Sequence, residues 1–186
     1  MRTILIALAA TALLAACGRG AATPLPAAQA AAFNDADVRF LQDMIPHHQQ
    51  AIDMAMLVNG RTRRPELVKL VSRISTGQDA EIRTMQAWLS RWNRPAPAGD
   101  GMQPNRSQVP GMLAEGQLDW LETLQDVQFD LAFLTMMRTH HGGAIEVAEA
   151  ELRAGSAAEV KALAKRMIAA QQTEIRQMHR WKDAWS

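Results

Sequence analysis

From residue 34 onward, the chain carries apolar residues at three- and four-residue steps, the period of a helix with one buried face. In the first such stretch Phe40, Met44, Ala51 and Ala55 share an arc with His47 and His48. Asn34 or Asp35 can cap its start. Pro46 lacks an N–H and crowds the carbonyl of Gln42, so a kink is expected there. Gly60 and Pro65 bracket a turn into a second helix, from about Glu66 to Trp92, with Leu70, Ile74, Met85, Trp88 and Trp92 on one stripe. Asn93 to Pro110 is rich in Pro and Gly and reads as a crossover loop. Gly111 to Gln125, with Met112, Leu113, Leu118, Leu121 and Leu124, reads as a short helix. Period-two alternation is weak and Tyr is absent, which argues against strands.

The second half repeats the first. A shift of 93 positions carries Asp37, Phe40, Leu41, Met44, His47, His48, Ala51, Ile52 and Ala55 onto Asp130, Phe133, Leu134, Met137, His140, His141, Ala144, Ile145 and Ala148. Without a gap, the same shift matches Leu70, Arg73, Gln78, Glu81, Ile82, Arg83, Met85, Trp88 and Trp92 to Leu163, Arg166, Gln171, Glu174, Ile175, Arg176, Met178, Trp181 and Trp185. Gly155 marks the second turn and a last helix is expected from about Ala158 to Trp185. Pro46 falls on Thr139, so the copies should differ there. The expected fold is all-α: a four-helix bundle of two duplicated hairpins, residues 35–92 and 128–185, joined by a long central crossover.

The chain opens differently. Arg2 precedes an apolar run from Ile4 to Ala16, too short for a membrane span, and Cys17 follows. Leu14-Ala15-Ala16-Cys17 resembles a lipobox, which implies a signal peptide over residues 1–16, cleavage before Cys17, and lipid on its sulfur. Gly18, rather than Asp, points to the outer membrane if the envelope is Gram-negative. Residues 17–33 are small and Pro-containing and read as a lipidated tether, leaving residues 34–186 as one domain. Cys17 is the sole cysteine, so the domain must be held by apolar packing, not disulfides. Without residues 1–16, which contain Arg2 alone among charged groups, 19 basic side chains face 19 acidic ones. That balance offers no basic stripe for nucleic acid.

Four of the five histidines lie in the two His-His pairs. At roughly 100° per residue, His47 lies about 60° to one side of Met44 and His48 about 40° to the other, so both imidazoles point at the core or its margin. Met137, His140 and His141 repeat this. On the second helix Glu81 falls among Leu70, Ile74, Met85, Trp88 and Trp92, in the middle of the apolar stripe. Glu174 sits likewise with Met167, Met178 and Trp181. A carboxylate there could be a metal ligand or could fix an imidazole by a hydrogen bond. Imidazole with thioether favours copper, Cu(I) in particular, and zinc on the four histidines also fits. Met44 and Met137 stand where a di-iron bundle would place the Glu of Glu-x-x-His. No nucleophilic triad, phosphate loop or haem motif is present. Asp37 and Asp130 read as first-turn charges, and His179, Arg83 and Arg176 as surface residues.

The segments Phe40-Leu-Gln-Asp-Met-Ile-Pro-His-His and Phe133-Leu-Thr-Met-Met-Arg-Thr-His-His, with Pro110-Gly-Met-Leu before the second, resemble the signature of the domain of unknown function 305 family. The resemblance spans about residues 35–185 and implies a ferritin-like helical bundle in an exported protein, some members being periplasmic copper binders. Carried over, it points to Met44, His47, His48, Met137, His140 and His141 as metal ligands; the helix faces alone add Glu81, Glu174, Met85 and Met178 as candidate additional ligands or supports. Met102 and Met112 stand apart rather than in a run, which does not suit high-capacity storage. The expected function is therefore copper binding, buffering or delivery by a lipid-anchored protein on the periplasmic face, with no evident enzymatic apparatus. The alternatives are a ferritin-like metalloenzyme with redox activity at a His/Glu site and a metal-free envelope interaction module.

Overall fold

A computed structural model describes residues 33–97 and 109–186. The expected signal peptide, Cys17, the expected tether and the middle of the 93–110 segment, Met102 included, lie outside the described residues. Those described form five helices and no strand: α1 Asp35–Met56, α2 Pro65–Arg91, α3 Glu115–Glu122, α4 Asp126–Ala154 and α5 Ala158–Trp185. None is long and apolar enough to cross a membrane. α1 packs on α2, α4 on α5, and α1 on α4.

The boundaries of the first hairpin have local causes. The Asn34 side chain accepts from the Ala36 and Asp37 amides, and Asp37 accepts from the Asn34 amide at 2.6 Å, closing a capping box. Pro65 occupies the first turn of α2, where a missing N–H costs nothing. Asn93, at φ 53°, turns the chain left-handed beyond α2, and the Arg94 amide reaches back to Leu89 O at 2.9 Å. α1 continues as one helix through the buried Pro46. The short helix α3 begins four residues later than the apolar pattern indicates, because Val109 to Ala114 serves another purpose, described below.

The start of α1 lies beside the end of α4: the Asn34 side-chain amide donates to Ala154 O at 2.9 Å. Here Asp37 differs from a simple dipole charge. It is fully buried and takes hydrogen bonds from the Ser156 and Ala157 amides and the Ser156 hydroxyl. Burial pushes its carboxyl up, but bonds from Asn34, Ala157 and Ser156 outweigh it and hold the group below its ordinary range. The reading of Asp130 as a first-turn charge does not hold. α4 starts four residues before it, and Asp130 is buried inside the helix, accepting from Arg64 Nε at 3.1 Å. The Arg64 guanidinium in turn lies 4.0 Å over the Trp185 ring.

The apolar interior is two clusters. One gathers the first half of α1 (Phe40, Leu41, Met44), the last half of α2 (Ile82, Met85, Leu89), the end of α4 and the start of α5 (Leu163, Met167). The other gathers the end of α1 (Ala51, Met54), the start of α2 (Leu67, Leu70, Ile74), the start of α4 (Phe129, Phe133, Met137) and Met178 of α5, with Leu121 of α3. Each fully buried Leu or Phe contributes about 1.5–3 kcal/mol. Between the two clusters every long helix contributes a pair of polar side chains: His47 and His48, Gln78 and Glu81, His140 and His141, Gln171 and Glu174.

Candidate metal centre

All four paired histidines are fully buried. α1 delivers His47 and His48, α4 delivers His140 and His141, and the His47 and His140 rings meet with centroids 3.8 Å apart, tilted by 42°. His48 Nε2 donates to Glu81 Oε2 at 2.7 Å, and His141 Nε2 donates to Glu174 Oε2 at 2.8 Å. His47 Nε2 donates to Pro110 O at 3.1 Å. Each of these bonds fixes a ring and places a proton on Nε2, which leaves Nδ1 as the nitrogen that can offer a lone pair.

Those lone pairs have no protein partner. Nδ1 of His47, His48 and His141 is buried without a hydrogen bond, and so are both nitrogens of His140, one a lone pair and one an N–H. An unsatisfied buried polar atom costs roughly 1–3 kcal/mol, so a layer holding five of them needs a reason. Burial, and then the neighbouring His48, push His47 down to about 3. Burial and His47 push His140 well below the usual imidazole range. Both rings are thus neutral at pH 7 and suited to a metal ion rather than to a buried ion pair.

The thioethers flank this layer. Met44 and Met85 belong to the first apolar cluster, Met137 and Met178 to the second, and all four are fully buried. Met44 and Met137 each precede a histidine by three residues on the same helix face. Glu81 and Glu174 are not at the centre of an apolar stripe. Their side chains are 25% and 22% exposed, so each bridges solvent and a buried imidazole. His179 is a surface residue, its Nδ1 2.8 Å from Asp183 one turn on. Among the described residues no three His, Cys, Asp or Glu side chains are gathered closely enough to hold a metal on their own.

Two features had weaker sequence signals. Gln78 and Gln171 are 5% and 3% exposed, and each leaves its Oε1 without a partner beside the glutamates. Their identity across the 93-residue shift, one turn before Glu81 and Glu174, was the available clue. The second feature is the Val109–Ala114 segment, which crosses the α1–α4 face over His47. Gln50 pins it twice, donating to Leu113 O and accepting from the Leu113 amide, both at 2.8 Å. Gly111, at φ 81°, lies so close to α4 that an added Cβ would fall 2.7 Å from His140 O. At Gly143 a Cβ would collide with the Pro110 carbonyl.

Residues 37–182 match the family described as Domain of unknown function (DUF305), and the chain belongs to it. Three solved structures are similar. A DUF305 fragment from Deinococcus radiodurans shares 30% identity over 81% of this chain and 97% of its own, with a TM-score of 0.73. A DUF305 protein from Streptomyces coelicolor shares 32% over 77% and 89%, with a TM-score of 0.70. CopM in its Cu(II)-bound form shares 35% over 81% and 97%, with a TM-score of 0.70. CopM is also known in Cu(I)- and Ag-bound forms. No curated protein matches the chain in sequence.

Proposed function

We propose that this is an exported, lipid-anchored protein that binds copper at the histidine layer and buffers or hands over the ion in the cell envelope. The observation that carries the reading is the set of unpartnered imidazole nitrogens buried between two methionine-containing clusters. Neutral imidazole and thioether are the donor pair that suits Cu(I), with imidazole also serving Cu(II). His47, His48, His140 and His141 would supply nitrogen, and Met44 and Met137 sulfur, with the buried Met85 and Met178 as additional candidates. Glu81 and Glu174 then support His48 and His141, as carboxylates commonly do behind metal-bound imidazoles. The likeness to CopM, which binds copper and silver, supports the same cargo.

The duplicated plan, a ferritin-like bundle of α1, α2, α4 and α5, belongs to this reading. So does the division into a signal peptide at 1–16, a tether at 17–33 and a domain at 34–186. The Leu14-Ala15-Ala16-Cys17 sequence supports the anchor; incorporation of a tagged fatty acid, lost in Cys17→Ser, tests it. Titration of the purified protein with Cu(I), Cu(II) and Zn(II) against chelators tests the cargo. Tight Cu(I) binding is expected. If no metal binds, the histidine layer is a structural feature of a metal-free envelope module and the copper reading fails.

A further inference from the structure

The histidine layer is closed on one side and approachable on the other. Over His47 the chain from Val109 to Leu113 seals the α1–α4 face, held by both Gln50 bonds and by the close backbone approach of Gly111 to α4. Opposite, α2 and α5 face each other across a pocket of about 60 Å³. Its lining includes Gly77, Gln78 and Glu81 from α2 and Ala170, Gln171 and Glu174 from α5. These six positions are three pairs at the 93-residue shift. Glu81 and Glu174 line the pocket and also touch His48 and His141, so one carboxylate separates the pocket from each buried imidazole. Gln78 and Gln171 line it with amide oxygens that have no partner although both side chains are more than nine-tenths buried. The thioether-bearing Met167, 2% exposed, also lines the pocket. Arg73 is the one basic residue of the lining, and it donates to Lys69 O on its own helix at 3.2 Å.

We propose that this pocket is the passage by which a monovalent copper or silver ion reaches and leaves the histidine layer. The inference rests on the copper reading above. An ion shedding water on its way into an apolar interior needs substitute donors at each step. The free Gln78 and Gln171 oxygens and the Glu81 and Glu174 carboxylates supply them, and the partly exposed carboxylates draw a cation to the mouth. The small residues Gly77 and Ala170 keep the gap between the two helices open.

Plugging the gap tests the passage without touching a proposed ligand. A Cβ added at Gly77 meets nothing within 4 Å, so a larger side chain has room to lie over the mouth, and Leu is the better helix former. In stopped-flow loading of the purified protein with Ag(I) or chelated Cu(I), Gly77→Leu with Ala170→Leu should slow loading and release about tenfold or more. Equilibrium affinity should stay within about threefold, because both directions cross the same barrier. Gly77→Leu alone should show an intermediate rate, and circular dichroism confirms the helices of both variants. Parental rates in the folded plugged variants overturn the passage while leaving the copper reading intact. Absence of binding in the unaltered protein overturns both.

Discussion

His48 Nε2 lies 2.7 Å from Glu81 Oε2, and 93 residues later His141 repeats the contact with Glu174 at 2.8 Å. The two bonds leave each ring's Nδ1 unpartnered inside the protein. If the carboxylates support the imidazoles, Glu81→Gln should retain metal binding with affinity weaker by about 10- to 100-fold, since an amide oxygen still accepts the Nε2 proton. Competition titration reads the change. Binding abolished in a variant with unchanged circular dichroism would make the carboxylate a ligand instead.

The approach of Gly143 to Pro110 gives a second expectation. A methyl group at 143 would collide with the Pro110 carbonyl, which is backbone and cannot swing aside. Gly143→Ala should therefore lower stability in urea unfolding by about 1–3 kcal/mol, the usual range for overpacking. Gly142→Ala, one residue away where an added Cβ meets nothing within 4 Å, should be neutral or slightly stabilising as a helix substitution. Equal effects at 142 and 143 would show that the Pro110–Gly111 crossing is not tight in solution.

Much of this architecture is legible in the sequence, and the exceptions share a cause. The helical period locates α2 and α5 to within one residue, because long amphipathic stretches carry the signal many times over. The same period sets the direction of His47, His48, His140 and His141 toward the interior, where all four lie. It cannot say how far a long side chain reaches, so Glu81 looks central in the stripe while its carboxylate sits at the edge of a pocket. Nor does it register contacts between distant segments. Gly143 and Gln50 are unremarkable helix residues until Pro110 and Leu113 are laid on them. Asp130 looked like a first-turn charge because its copy, Asp37, is one; the two extra residues at the start of α4 carry it past the first turn.

Glu151 gives a pH dependence that the repeat does not share, since the matching residue is Val58. It is 2% exposed, and burial, then the Asp37 carboxylate, raise it to about 8. The folded protein therefore holds this proton more tightly than the unfolded chain, whose carboxyl titrates near 4.5. Stability from this group is full below pH 4.5 and is lost as pH rises toward and through about 8. Glu151→Gln removes the ionisation, so it should be more stable than the parent at pH 9 by on the order of 1–3 kcal/mol and nearly equal at pH 4. Urea unfolding at the two pH values measures it. A variant less stable than the parent at pH 9 would mean that ionised Glu151 is satisfied where it lies.

The donor set itself is the last and most direct test. Met44 and Met137 lie on opposite sides of the histidine layer, each three residues before a buried imidazole on the same helix. A thioether strengthens Cu(I) binding and adds little for zinc, while an imidazole serves both. Met44→Leu with Met137→Leu should therefore weaken Cu(I) binding by tenfold or more, about 1.4 kcal/mol, and leave Zn(II) nearly unchanged. Leu nearly preserves the volume, and such swaps usually cost under about 1.5 kcal/mol of stability. Changing His47, His48, His140 and His141 together to Gln should abolish binding of both metals. The two variants separate the explanations: equal losses of Cu(I) and Zn(II) in the methionine variant would point to repacking around the imidazoles rather than to lost sulfur. Cu(I) affinity unchanged in the histidine variant, with the helices intact, would remove the site altogether.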